Sequence, residues 1–242
     1  ILKLIGQSDK SITSFNDIKY NNEIEILYNS ITQDLEVSYV DPHFMLFTFV
    51  DVKSKSQSLF KKWLLKSESL DSVFSLYFST LYRSDTFINL RFLSLVQAIE
   101  SYNRRTTLNN ELSVKEHTKR LNEICSTVSV KHKEWLEKKL VYSNEPSLRQ
   151  RLKSIFNNYE TILNALTEKR TFVNDVVNTR NYNVHFDEQL KESAKRGKEL
   201  HNICEILKVI IELSLFSELG FNKSISAILI KKSNAYRNIK NT

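Results

Sequence analysis

The sequence has few of the residues that make tight turns, and it lacks a long apolar run. Its 242 residues include only 3 glycines and 2 prolines, which argues against a β-sandwich or a β-barrel. No stretch approaches the ~20 apolar residues that a membrane-spanning helix requires, and the first residues show no secretory signal pattern. We therefore predict long helices with short polar connections, in a cytoplasmic protein with no membrane partner.

Cysteine is also scarce, and the two that occur have no metal-binding or redox spacing. Cys125 and Cys204 are predicted to be small core residues in a reducing compartment. His185 and Asp187 suggest two metal ligands, but no cluster of Cys or His supplies a third and a fourth. The chain also lacks a glycine-rich phosphate loop. We therefore predict neither a metal nor a cofactor.

The chain is basic, with a formal net charge of +7. An excess of Lys and Arg raises the affinity of a protein for phosphate backbones whatever their sequence. The alternative is a basic protein whose surface charge is dispersed and has no particular partner. Charge alone leaves both interpretations open.

The first part of the chain differs from the rest in its hydrophobic pattern. We divide the chain into residues 1–55, the tail of a partly β N-terminal domain or a linker, and 56–242, an α-helical domain. Because the chain starts at Ile1 and not at Met, we expect a fragment whose missing front holds another domain. A buried strand is predicted over 44–50, after a turn at Asp41, within a hairpin over 35–50. The other alternating residues are Ile24, Ile26, Tyr28, Leu35, Val37 and Tyr39.

From residue 56 onward, apolar residues recur with the period of amphipathic helices. The predicted fold is therefore mainly α, a helical bundle preceded by a short β-containing segment. In the first half, helices are predicted from Ser56 to about Leu81, over 86–105, after a capping box at Ser113 with Leu121, Ile124 and Val128 facing inward, and around Trp135. Further helices are predicted after Pro146 and over Phe172 to Val177. The last two predicted helices run from Asp187 to Leu219, with Gly220 closing it, and over 222–239, with Ile225, Ile228 and Leu229 inside.

One short stretch concentrates groups that act on a phosphate. Arg180 is a permanent cation that can bind phosphate oxygens in a fork, and His185 is of the type whose ordinary pKa lies near neutrality. On a continuous helix their five-residue separation would put them about 140° apart. The insert 181–183 contains two Asn residues, which favour caps and turns, so we predict a helix junction that turns both side chains into one cleft. Asn181 would cap that junction or orient a phosphate.

At this point the sequence resembles a known family. An Arg, a polar Asn, three further residues and a His in a helical protein resemble the signature of the HEPN superfamily. Segments 91–105 (RFLSLVQAIESYNRR) and 178–187 (NTRNYNVHFD) resemble the ApeA-like HEPN domains of bacterial anti-phage defence proteins. The resemblance covers about residues 57–240. Residues 1–53 are similar to the end of the separate N-terminal domain, a possible sensor, that such proteins often carry.

The resemblance implies a helical bundle that pairs with a second copy, so that two Arg-His motifs form one metal-independent ribonuclease site. His185 would accept the proton of the 2′-hydroxyl or protonate the leaving 5′-oxygen, and its copy on the partner chain would serve the other role. Arg180 would hold the pentavalent phosphate. The implied function is an endoribonuclease of an abortive-infection or toxin-type system that leaves a 2′,3′-cyclic phosphate.

Four further residues have two open interpretations each. Glu100 borders an apolar helix face, where it either orients Arg180 or an imidazole or is an ordinary helix carboxylate. Arg104 and Arg105 either line an RNA channel or end a solvated helix. Tyr182 either stacks on a base or packs the junction as a wedge.

Two alternatives to an enzyme are compatible with the same residues. The bundle can be a non-catalytic RNA-binding or dimerisation module, for which the basic last helix is suitable. It can also be purely structural, with Arg180 paired to a carboxylate and His185 satisfying a buried hydrogen bond. A cleavage assay and the arrangement of the two side chains distinguish these alternatives.

Overall fold

The computed structural model describes residues 45–82 and 86–240, and over these residues the chain is helical without any β-strand. The predicted mainly α class is confirmed. In this described part the α-helices are α1 (Phe49–Val52), α2 (Ser56–Ser69), α3 (Asp71–Tyr82), α4 (Ile88–Thr106), α5 (Val114–Thr127), α6 (Val130–Lys139), α7 (Leu148–Asn158), α8 (Glu160–Leu163), α9 (Lys169–His185), α10 (Gly197–Leu219), α11 (Lys223–Ile230) and α12 (Asn234–Lys240).

The bundle is built around α10. Every residue over 209–216 is buried, as expected for a helix that is surrounded on all sides by other elements. Helices α2, α4, α11 and α12 all pack against it, while α4 also contacts α3, α7 and α9. Within the described residues, no helix combines the length and apolarity needed to cross a membrane.

Gly220 ends α10 as the sequence predicts. It adopts φ +84°, and a Cβ at this position would lie 2.0 Å from Nζ of Lys62. The N–H of Phe221 donates to the carbonyl of Phe216 (3.0 Å), which is the hydrogen bond of a Schellman motif. The turn brings the rings of Phe216 and Phe221 to 5.3 Å, and Phe47 packs on both.

The strand predicted over 44–50 is wrong for the described residues 45–50. Residues 49–52 form the single helical turn α1, because the Asp51 carboxylate accepts hydrogen bonds from the backbone N–H (2.7 Å) and the hydroxyl of Thr48. A 3₁₀ turn over Lys53–Lys55 leads directly into α2. The strands and hairpin predicted for earlier residues lie outside the described part, and the domain boundary at 55/56 stays a prediction.

Several helix predictions need correction. The helix predicted from Ser56 to about Leu81 is two helices, α2 and α3, which separate at Leu70. The long helix begins at Gly197, since Asp187 caps only a 3₁₀ turn over Glu188–Leu190. The basic helix predicted for 222–239 is two helices, α11 and α12, with a break before Asn234. Ile228 is 61% exposed and therefore does not face the core.

Helices α5 and α6 form a hairpin outside the core. The predicted capping box at Ser113 is present, with Glu116 as its second member. Neither helix has a buried residue, so the predicted inward face of α5 is wrong: it packs only partly, against α6. Asn144 closes the base of the hairpin, because its side chain exchanges two 3.0 Å hydrogen bonds with the backbone of Leu112.

A buried carboxylic acid lies in the core between α3 and α10. The Tyr77 hydroxyl donates to Oε1 of Glu212 (2.9 Å), and both side chains are almost fully buried. Burial raises the pKa of Glu212 to about 7, and the hydrogen bond from Tyr77 offsets part of that rise. Ionisation of Glu212 is therefore unfavourable in the folded protein.

This buried acid predicts a pH-dependent stability. A carboxyl whose pKa is raised in the folded state stabilises the fold below its unfolded pKa, and this contribution is lost as the pH rises through the folded pKa. The free energy of unfolding should fall by roughly 1–3 kcal/mol between about pH 5 and pH 8 because of Glu212. Glu212→Gln should remove this fall while the amide oxygen still accepts from Tyr77.

Urea unfolding at several pH values measures the effect. Only the difference between wild type and Glu212→Gln is used, so that other titrating groups cancel. Exposed Glu192→Gln changes the net charge equally and is the matched control. Parallel profiles for wild type and Glu212→Gln would contradict the prediction.

Candidate active site

Arg180, Asn181 and His185 all lie on α9, which is one continuous helix. It begins after Glu168, whose carboxylate accepts from the N–H groups of Arg170 (2.8 Å) and Thr171 (2.6 Å). It passes through 181–183 and ends after His185, where Phe186 adopts the left-handed conformation (φ +52°). The predicted junction at 181–183 is therefore wrong.

Packing explains why the two Asn residues do not interrupt this helix. The buried face of α9 anchors it in the core, and such tertiary packing overrides a weak local propensity. The residues of this face are Phe172, Val173, Val176 and Thr179.

The continuous helix separates the two groups that the sequence singles out. Arg180 and His185 lie about 140° apart around the axis and about 7.5 Å apart along it. Asn181 and His185, one turn apart, lie within about 40° of each other. Nη1 of Arg180 donates to Oδ1 of Asn181 (3.2 Å). Asn181 therefore holds the guanidinium toward the side of the helix on which His185 lies.

The end of the motif is open to solvent. His185 is exposed, while Arg180 and Asn181 are half-buried. Val184 is 44% exposed and Phe186 is 70% exposed, so the two residues that flank His185 in the chain also expose apolar surface. Within the described part of the chain, the imidazole of His185 is therefore accessible from solvent.

A buried hydroxyl fixes the helix just before Arg180. Thr179 is fully buried, and its Oγ1 accepts from the backbone N–H of Lys195 (2.9 Å). Nζ of Lys195 lies 3.8 Å from Oδ2 of Asp175 and 3.4 Å from Oε1 of Glu199. Burial raises the pKa of Asp175. The segment before α10 is thereby attached to α9 at the motif, a contact that no local pattern in the sequence indicates.

Tyr182 is enclosed by its neighbours. The guanidinium carbon of Arg196 lies 5.4 Å from the centre of the Tyr182 ring, within the range of a cation–π contact. The ring of Phe186 packs edge-on against it at 6.0 Å. These contacts agree with the interpretation in which Tyr182 packs the end of α9. Stacking of Tyr182 on a base stays a prediction.

Glu100, Arg104 and Arg105 lie toward the C-terminal end of α4, and their contacts are with residues outside α9. Nη2 of Arg104 lies 2.7 Å from Oε2 of Glu145 and 3.7 Å from Oε1 of Glu100. Nη1 of Arg105 donates to the carbonyl of Ser69 (2.7 Å). Among the hydrogen bonds and ion pairs of residues 45–82 and 86–240, none joins these three to Arg180 or His185.

Two arginines of α7 were not predicted. Arg151 is fully buried, and its Nη1 donates to Oδ1 of Asn103 (3.0 Å). Burial lowers the pKa of Arg151. Arg149 donates to the side chain of Asn174, which lies two turns before Asn181 on the same face of α9. A basic residue on an amphipathic helix gives no sequence signal that separates such a contact from an exposed position.

The described residues contain no group of three His, Cys, Asp or Glu side chains able to hold a metal ion.

The sequence matches the family described as Apea-like HEPN over residues 93–225, which is more than half of the chain. The chain belongs to the Apea-like HEPN family. The family indicates a ribonuclease-type or defence function. No curated protein and no solved structure matches the chain. The matched HEPN region runs from α4 into α11 and includes the whole motif of α9.

The anchor at Thr179 predicts a change in stability. Thr179→Val keeps the shape but leaves the partly buried N–H of Lys195 without its acceptor, which should lower the free energy of unfolding by about 1–2 kcal/mol. Thr179→Ser keeps the hydroxyl and should retain most of this stability, apart from the loss of one methyl group. Denaturant unfolding measures both variants. A Val variant as stable as the Ser variant would show that the hydrogen bond contributes nothing.

Proposed function

We propose that this HEPN chain is a metal-independent endoribonuclease of a bacterial anti-phage defence system, either of the abortive-infection or of the toxin type. The observation that supports this proposal best is the contact between Arg180 and Asn181 one turn before the exposed His185. With this contact, a permanent cation and an imidazole would act together at one end of one helix, where a polyanion would have access. The net charge of +7 is consistent with an RNA substrate.

RNA strand cleavage needs only proton transfer and charge stabilisation. The 2′-oxygen attacks the adjacent phosphorus after losing its proton to a base, and the bond to the 5′-oxygen breaks as an acid supplies a proton to it. A 2′,3′-cyclic phosphate and a free 5′-hydroxyl result. In this scheme His185 moves protons, Arg180 stabilises the pentavalent phosphate, and Asn181 positions the guanidinium.

The scheme needs two copies of the chain. One copy offers a single His185 for two proton transfers, and its Arg180 starts from a different side of α9. Val184 and Phe186 expose apolar surface next to the imidazole, which a second copy would cover. We therefore propose a homodimer in which α9 of each copy contributes to one composite site, with His185 of one copy as base and His185 of the other as acid.

Two further parts of the proposal concern the rest of the protein. Residues 1–55 would be the end of a separate N-terminal domain that senses the trigger of the defence response. Glu100, Arg104 and Arg105 would then support the bundle or guide RNA along its surface, since their present contacts tie α4 to Glu145 and Ser69. The cytoplasm is the proposed site of action.

Cleavage of labelled single-stranded RNA and tRNA tests the chemistry. Wild type should cleave in the presence of a chelator, and His185→Ala and Arg180→Ala should each lower the rate by about 10²-fold or more. Asn181→Ala should cause a smaller loss, because the guanidinium remains but is no longer held. A fold control by circular dichroism accompanies each variant.

The result that would exclude this mechanism is loss of activity on chelation, or full activity in both His185→Ala and Arg180→Ala. RNA binding without cleavage under all conditions would favour the alternative, a non-catalytic RNA-binding or dimerisation module. Identification of the cyclic phosphate at the new 3′ end checks the role of the 2′-hydroxyl.

Mixing of copies tests the composite site. If both imidazoles are needed, a dimer of wild type and His185→Ala is inactive. Equal amounts of the two chains, after subunit exchange, should then show about half of the activity per wild-type chain. In the matched mixture with His201→Ala, an exposed histidine of α10, both chains are active, so the activity per total chain should equal that of wild type. Unchanged activity in the His185→Ala mixture would mean that each copy acts alone.

A further inference from the structure

Helix α6 exposes a tryptophan. Trp135 is 61% exposed on a helix that has no buried residue. The chain has 2 tryptophans, and the other, Trp63, packs on Phe74 with ring centres 4.7 Å apart. Trp135 therefore adds little to the core, and its large aromatic ring is available at the surface for stacking.

Basic residues surround this ring. Lys131, His132, Lys138 and Lys139 precede or follow Trp135 by three or four residues, so all four lie within about 60° of it on the helix surface. Lys138 pairs with Glu134 (2.7 Å), but both side chains are highly exposed, and such pairs contribute little. In the described part of the chain, no ion pair engages Lys131 or Lys139.

The rest of the α5–α6 hairpin is also basic and exposes a further aromatic residue. Tyr142, just beyond the end of α6, is 75% exposed. Residues 113–143 contain seven Lys and Arg against four Glu, so the hairpin carries a positive charge. Because α5 and α6 contact each other and are joined to the bundle at Asn144, this surface projects from the core.

We propose that Trp135 and the basic residues around it form a docking surface for single-stranded RNA. A base stacks on the indole, and Lys131 and Lys139 contact the phosphates on either side of it. Sequence-tolerant binders of single strands combine these two elements, since every base has a π-face and every nucleotide a phosphate. Protein interfaces, by contrast, are depleted in Lys around their aromatic residues.

The inference rests on the proposed function, because it assigns to the same RNA a second contact away from α9. A substrate held at the hairpin would be presented to the composite site at high effective concentration. Loss of the docking surface should therefore weaken binding of RNA and leave the chemistry at His185 intact.

Intrinsic fluorescence provides a direct test. In the full chain with Trp63→Phe, Trp135 is the only tryptophan, so stacking of a base on it should quench the emission on titration with oligouridylate. The quenching should be saturable and should weaken with added salt. His185→Ala is included in this chain so that the oligonucleotide is not cleaved.

Fluorescence polarisation measures the affinity of each variant for the oligonucleotide. Trp135→Ala should weaken binding about five-fold to a hundred-fold, and Trp135→Phe should retain most of it. Lys131→Glu with Lys139→Glu should weaken binding further and reduce its salt dependence. The matched controls are Phe87→Ala, which removes an aromatic ring that is 81% exposed away from the hairpin, and Lys223→Glu on α11. Both should bind as the parent does.

The outcomes separate the two proposals. If Trp135→Ala binds and cleaves RNA as wild type does while His185→Ala is inactive, the docking surface is wrong and the enzyme proposal stands. If RNA quenches Trp135 but wild type cleaves no RNA, the docking surface stands and the enzyme proposal fails. Quenching that depends on protein concentration and not on RNA would assign the surface to contacts between copies of the chain, which overturns the inference.

Discussion

The continuity of α9 is the constraint on which the rest of the site depends. Its apolar face, from Phe172 to Thr179, is buried against α4 and α7, and this packing carries the helix through two Asn residues to His185. A rigid helix places Arg180 and His185 on different sides. The hydrogen bond of Arg180 to Asn181 directs the guanidinium toward the side on which His185 lies. The Asn181 amide thus contacts the guanidinium from the side of the helix nearer to His185.

The same constraint explains the arrangement around the motif. The segment between α9 and α10 is held by Thr179 and by the packing of Arg196 on Tyr182. One side of the end of α9 is therefore packed against this segment. The outer surface, with His185 and Phe186, remains open. Support on one side and exposure on the other are consistent with the proposed site, which RNA and a second copy of the chain would complete.

The core helices and the α5–α6 hairpin differ in how they contribute to stability. Polar groups such as Glu212 and Arg151 are enclosed between core helices and paired there with Tyr77 and Asn103, which ties the packing of α10 and α4 to specific partners. The α5–α6 hairpin contributes almost nothing to this core. It is therefore free to carry a surface whose composition is set by a ligand, and the exposed Trp135 with its basic neighbours is consistent with that freedom.

What the sequence by itself determined was the helical class, the starts of α2, α4, α5, α7 and α11, Gly220 as a stop, and the family to which Arg180, Asn181 and His185 point. These follow from local rules, because periodicity, capping boxes and a left-handed glycine act over a few residues. Only the tertiary structure decided that α9 is unbroken, that residues 49–52 are helical, and that Lys195 and Arg149 reach α9. Such contacts join residues far apart in the chain, and burial of one face overrides the local preference of Asn for turns.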